Sequence, residues 1–200
     1  CIRDSDNGAL ESQSLEKAQL YPGVQEASLR LGSNLPLRGQ KGQLYEGGIR
    51  TPASITWHNT FKPRKLEKPL HISDWMPTFS EIVDQEPDID TEWDGLNICY
   101  LLAGADHNFT VTDRKIYWMF RGNDIAMRIG KWKLITKKIE GSYKSIELYD
   151  IESDPFESSD LADSHQDVAE RLLRVIENEQ VMDGSAMRFD AGDAMPVQSV

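Results

Sequence analysis

From Arg114 onward the chain is punctuated at short, regular intervals, and this rhythm limits its possible folds more than any other feature. Strand-like runs occupy residues 115–120, 124–129, 131–136 and 145–150, separated by Gly122-Asn123, Gly130 and Gly141-Ser142. Short apolar and β-branched runs between glycine turns are the pattern of a small antiparallel meander, because hairpin turns need residues that tolerate positive φ. Trp118, Trp132 and Tyr149 read as packing residues on one face of that sheet. Residues 162–180 follow, with Val168, Leu172, Leu173, Val175 and Ile176 at helical spacing. They predict an amphipathic helix that covers the sheet. Residues 183–200 are polar, hold Gly184, Gly192 and Pro196, and read as a flexible tail.

The residues before Arg114 have a different texture. Residues 49–57 leave the Gly47-Gly48 turn as a predicted strand, with Pro52 marking an edge or a strand start. Ser73 or Asp74 is a good helix cap, and Met76, Phe79, Ile82 and Val83 then fall at helical spacing up to Asp84. His71, just before that cap, is read as a structural hydrogen-bonding group. Residues 85–92 are acidic, hold Pro87, and read as a loop. The apolar run at residues 96–102 contains Cys99, expected to be a buried free thiol. Two cysteines so far apart define no disulfide framework. Asn108-Phe109-Thr110 fits a glycosylation sequon, which has meaning only in a secreted eukaryotic protein.

Charge narrows the class of partner. Residues 1–80 carry 10 Lys+Arg against 8 Asp+Glu, a net of +2; residues 81–200 carry 12 against 25, a net of −13. The basic residues gather around Arg30, Arg38, Lys41 and Arg50, then at Lys62, Arg64, Lys65 and Lys68. A locally positive region on an acidic chain suits an anionic small or polymeric substrate. It does not suit nucleic acid, which needs a dominant basic face. Residues 62–68 by themselves read as a solvated loop around Pro63 and Pro69. No run of 18 apolar residues is present, so no membrane-spanning helix is expected. The chain begins with Cys and shows no signal peptide, and 200 residues make one ordinary domain or part of a larger one.

Two segments carry the chemistry. Ser5-Asp6-Asn7-Gly8 sets a carboxylate beside an amide carbonyl at a glycine turn. Two hard oxygens suit Ca²⁺ or Mg²⁺ rather than a soft metal. The same tetrapeptide is also an ordinary turn former. Some thirty residues later, Lys41 sits between Gly39 and Gly42, flanked by Arg38 and Arg50. A compact ammonium with three donors suits a sulfate or phosphate oxygen, and a lysine between glycines is also an ordinary solvated loop residue.

The combination is more specific than its parts. Ser5-Asp6-Asn7-Gly8, then Pro36-Leu37-Arg38-Gly39-Gln40-Lys41, then Glu46-Gly47-Gly48-Ile49-Arg50-Thr51-Pro52-Ala53 resemble the sulfatase family, and most nearly its arylsulfatase B-like (N-acetylgalactosamine-4-sulfatase) branch. His71-Ile72-Ser73-Asp74-Trp75-Met76-Pro77-Thr78 and Glu147-Leu148-Tyr149-Asp150-Ile151-Glu152-Ser153-Asp154-Pro155 extend the resemblance, which covers roughly residues 5–180. It implies an α/β fold: the C-terminal part of an alkaline-phosphatase-like domain over residues 1–112, then a small antiparallel sheet plus helix over 113–182. It implies that Asp6 and Asn7 bind Ca²⁺ and that Lys41 contacts a sulfate oxygen of a sulfated small molecule or glycan. It also implies an extracytoplasmic location, periplasmic, secreted or lysosomal.

The family's nucleophile is a formylglycine made within Cys/Ser-x-Pro/Ala-x-Arg. Neither Cys1-Ile2-Arg3-Asp4 nor Cys99-Tyr100-Leu101-Leu102 fits that motif. The family's other metal ligands and the lysine and histidine of its first half are also absent. The chain is therefore expected to be a C-terminal portion of a longer enzyme, inactive alone, with apolar surface left uncovered. Residues 9–34 do not match the branch and read as a substrate-facing insertion or a disordered loop. A phosphoester or phosphonate hydrolase of the same superfamily, a non-catalytic sulfated-glycan-binding module and an inert gene fragment are the rival readings.

Overall fold

The computed structural model describes residues 2–3, 7–10, 32–85, 93–105 and 114–183. Four expectations fall wholly or mainly elsewhere. Most of the 9–34 stretch, most of the 85–92 loop, the Asn108 sequon and the 184–200 part of the tail lie outside the described residues.

A short N-terminal strand, β1 (Ile2–Arg3), pairs antiparallel with β2 (Ser54–Ile55). Between them lies a four-residue helix, α1 (Glu46–Ile49). The strand expected at residues 49–57 is thus reduced to β2. The cause is local: Gly48 and Ile49 donate to the Tyr45 carbonyl at 2.8 and 3.2 Å, and Arg50 donates to Glu46 at 2.8 Å. The glycine turn winds into a helical turn before the chain can extend. Pro52, without an N–H, then delays any ladder.

A 3₁₀ turn at Ile72–Asp74 leads into α2 (Trp75–Ile82). His71 performs the structural role expected of it. Its Nδ1 accepts from the Ser73 N–H at 3.4 Å, while its own N–H donates to Asp74 Oδ2 at 2.8 Å. Asp74 is fully buried and also accepts from the Leu96 N–H and from Arg114 Nη2, at 2.9 and 2.5 Å. It ties the turn to the approach of the sheet. The next helix, α3 (Cys99–Ala103), buries Leu101 and Leu102, with Ile98, against Ile55, Phe61, Leu66, Leu70 and Trp75. Cys99 is only half-buried, against expectation. The desolvation it does undergo pushes the thiol up.

The meander is present as a four-stranded antiparallel sheet in simple order: β3 (Lys115–Phe120), β4 (Asp124–Ile129), β5 (Trp132–Ile139) and β6 (Ser142–Asp150). The β5–β6 hairpin is longer than the sequence suggests. Glu140 and Gly141 both have positive φ, 50° and 78°, so a two-residue primed turn closes it and the strands run to Ile139 and from Ser142. The closing helix, α4, spans Gln166–Asp183 rather than 162–180. The preceding residues are claimed by β6: Leu161 donates to the Leu148 carbonyl at 2.8 Å, and Asp160 Oδ1 accepts from Leu148 and Ala162 at 3.0 and 2.9 Å.

Both faces of this sheet are covered. Ile125, Met127, Leu134 and Leu148 pack against Ala169, Leu172 and Ile176 of α4. The opposite face buries Ala126, Ile135 and Tyr149 against Leu44, with Tyr45, Ile49, Trp118 and Phe120 around them. The three aromatics therefore do not share a face. Trp118 and Tyr149 look toward the Leu44 loop, while Trp132 packs on the helix side. Strand parity decides this, because Tyr149 pairs with Lys133, the residue next to Trp132.

Candidate functional site

The structure brings the two chemistry-bearing segments together by backbone bonds. Gly8 donates to the Gly48 carbonyl at 2.8 Å, and Lys41 donates to the Ala9 carbonyl at 3.1 Å. Asn34 clamps both sides. Its Oδ1 accepts from the Ala9 N–H at 2.7 Å, and its Nδ2 donates to the Ala9 and Gly39 carbonyls at 2.8 and 3.2 Å. The approach is so close that a Cβ on Gly8 would run into the Gly47 carbonyl, so only glycine fits there. Asn7 is half-buried beside this contact, Lys41 is exposed, and both line one cleft of about 1640 Å³. Asp6 lies outside the described residues. Among the described residues no group of three or more His, Cys, Asp or Glu side chains could hold a metal ion.

The cleft is cationic on an acidic chain. Arg50, Arg64, Lys68 and Arg128 line it with Lys41, and Trp118 and Phe120 form part of its apolar wall. Burial lowers the Arg128 guanidinium from its ordinary value, an effect that neighbouring Arg50 reinforces and Glu46 opposes. Such a surface attracts an anion by its local field despite the formal charge of −11.

The Lys41 loop is bolted to the second sheet face by two polar clusters that sequence reading missed. In the first, Lys133 of β5 is fully buried and donates to Glu46 Oε1 at 2.9 Å and Glu157 Oε1 at 2.7 Å. Glu157 Oε2 accepts from the Glu46 N–H at 2.7 Å. Burial raises the Glu157 carboxyl, against the opposing pull of Lys133. In the second, Arg38 lies 3.9 Å over the Tyr45 ring and donates to the Tyr149 hydroxyl at 2.7 Å and the Glu157 carbonyl at 3.2 Å. The Tyr45 hydroxyl donates to Glu147 at 2.9 Å, and Tyr149 donates to the same carboxylate. Burial, then this shared carboxylate, push both phenols up. The one signal in the sequence was Lys133 itself, a charge inside the strand Trp132-Lys133-Leu134-Ile135. Its partners lie 87 and 24 residues away, a distance no local pattern spans.

No protein-family model matches the chain. Arylsulfatase J of Mus musculus is 29% identical over 188 residues, covering 72% of this chain and 31% of that protein. N-acetylgalactosamine-6-O-sulfatase of Bacteroides thetaiotaomicron is 27% identical over 193 residues, covering 88% of this chain and 35% of that protein. Among solved structures, a protein of the Bacteroides thetaiotaomicron locus for metabolism of multiple glycosaminoglycans superposes with a TM-score of 0.67 at 24% identity, over 90% of this chain and 38% of that one. The chain thus spans about a third of the length of the curated relatives it matches. Sequence similarity to these sulfatases over most of the chain, with a fold shared with the solved structure, supports a member of the sulfatase family.

Proposed function

We propose that the protein is a sulfuric ester hydrolase acting on a sulfated glycan or aryl sulfate, and that this chain supplies part of its anion site. The observation that supports the reading most directly is the stapling of the Asn7–Gly8–Ala9 turn to the Lys41 loop at the edge of a cationic cleft. Two relatives are named as sulfatases, one of them for an N-acetylgalactosamine 6-sulfate group, which supports a glycan substrate. The finer assignment to the arylsulfatase B-like branch rests on the motifs alone. The division at residues 112 and 113 and an extracytoplasmic location belong to the same proposal.

In this reading Lys41 donates hydrogen bonds to non-bridging sulfate oxygens. Its charge offsets what develops there as the bond from sulfur to the leaving oxygen breaks. Arg50 and Arg128 bias the cleft toward the anion from further away. Asp6 and Asn7 would supply two of the six to eight hard oxygen ligands that Ca²⁺ takes, and the rest would come from outside these 200 residues. A bound Ca²⁺ would supply further charge neutralisation on the sulfate. The formylglycine nucleophile is assigned outside these 200 residues, none of which forms Cys/Ser-x-Pro/Ala-x-Arg.

The test is a side-by-side assay of aryl sulfate and aryl phosphate with the complete enzyme. Sulfate turnover is expected, and Lys41→Ala should lower kcat about 10²–10³-fold, the usual cost of one transition-state donor. Preferential phosphate turnover, or full sulfate activity in Lys41→Ala, would reject the assignment.

A further inference from the structure

Four ionised side chains run in a line from the sheet interior to the cleft. Glu157 meets Lys133 at 2.7 Å, Lys133 meets Glu46 at 2.9 Å, and Glu46 Oε2 faces Arg50 of the cleft wall at 3.9 Å. We propose that Lys133 is a positioning residue: through Glu46 and Glu157 it sets where the Lys41 loop stands against the Asn7–Ala9 turn. The proposal rests on the reading of Lys41 as a sulfate contact.

The connections can be followed bond by bond. Glu157 holds the first residue of α1 twice, through Lys133 and directly by its bond from the Glu46 N–H. The next two residues of α1 are the glycines that engage both partners of the site. Gly47 donates to the Arg38 carbonyl at 2.7 Å, and Gly48 accepts from Gly8. The Glu157 carbonyl also takes a bond from Arg38, three residues before Lys41. A shift of Glu46 would therefore move both ends of the loop.

Stability alone does not account for burying these charges. Apolar residues of similar volume commonly hold a core as well as a buried ion triad, or better, because three desolvated charges cost much of what they gain. Leu44 and Ile49 already supply apolar contact between this loop and the sheet. What the ions add is direction, since a hydrogen-bonded charge pair specifies distance and angle where apolar contact tolerates sliding.

The experiment uses the 200-residue chain with the triad neutralised in place, as Glu46→Gln, Lys133→Met and Glu157→Gln together. Amide hydrogen exchange is read at Lys41, Gly47 and Gly48, and at Met127 and Leu134 on the helix side of the sheet. The melting temperature and binding of inorganic sulfate, followed at the Lys41 amide, are read alongside. A positioning role predicts a melting temperature near the parent's and unchanged exchange at Met127 and Leu134, with loop amides exchanging about tenfold faster or more. Sulfate binding should weaken about tenfold. Loop and sheet amides accelerating by one common factor, or loop protection staying at the parent level, would overturn it. Should the triple variant not fold, Glu46→Gln alone keeps the Lys133–Glu157 pair and is read by the same comparison. A parent chain whose Lys41 amide ignores sulfate overturns the sulfate-contact reading, while the exchange comparison still decides the role of Lys133.

Discussion

Lys133 has no exposed side-chain surface and two carboxylates on its ammonium. Lys133→Met leaves Glu157 buried without its counter-charge and Glu46 with only Arg50 at 3.9 Å, and burial already raises Glu157. The expected loss is about 3–5 kcal/mol of unfolding free energy. It is read from the urea midpoint at unchanged slope, and a loss below about 1 kcal/mol would mean that water reaches the pair. His71 makes the complementary point about pH. Burial holds its imidazole below the ordinary 6.5, against the pull of Asp74. The unfolded chain then binds more protons between the two values, so the contribution is complete above pH 6.5 and is lost as pH falls. The fall in urea midpoint from pH 7.5 to pH 5.5 should be smaller in His71→Gln than in the parent. Equal falls would assign the proton uptake to another group.

At the scale of elements, α4 and α2 differ in what covers them. Leu172 is fully buried between α4 and the sheet. Leu172→Ala is expected to cost about 2–5 kcal/mol, the transfer term plus a cavity. On α2 and its entering turn, Ile72, Met76, Phe79 and Val83 recur at helical spacing and are 57%, 56%, 36% and 59% exposed. Replacing Met76 and Val83 by Gln should leave the stability of this chain within about 0.5 kcal/mol, because little is lost from burial. It should also raise the concentration at which the chain aggregates, as a smaller apolar patch predicts. Unchanged aggregation would place the sticky surface elsewhere. The same two elements show how far periodicity reads. Helical spacing located both, but the start of α4 moved by four residues because the Asp160 side chain and the Leu161 N–H are held by β6. That is a tertiary contact competing with propensity.

At the scale of the described molecule, the arrangement is a sheet with an amphipathic helix on one side and a charged, glycine-rich loop on the other. The chain alone is expected not to hydrolyse an aryl sulfate, since the family's nucleophile motif is absent from it. Steady release of the phenol by the purified chain, lost in Lys41→Ala, would contradict that. The meander, its helix and the Lys41 loop were legible from the sequence. Each depends on residues within a few positions of one another: turn glycines, strand alternation, helical spacing, a motif. The pairing of the Asn7–Ala9 segment with that loop, the opposite facing of Trp118 and Trp132, and the Glu157–Lys133–Glu46 line were decided only by the tertiary structure. They join residues many positions apart, and which charges a fold buries together is set by strand register and packing, which no local pattern encodes.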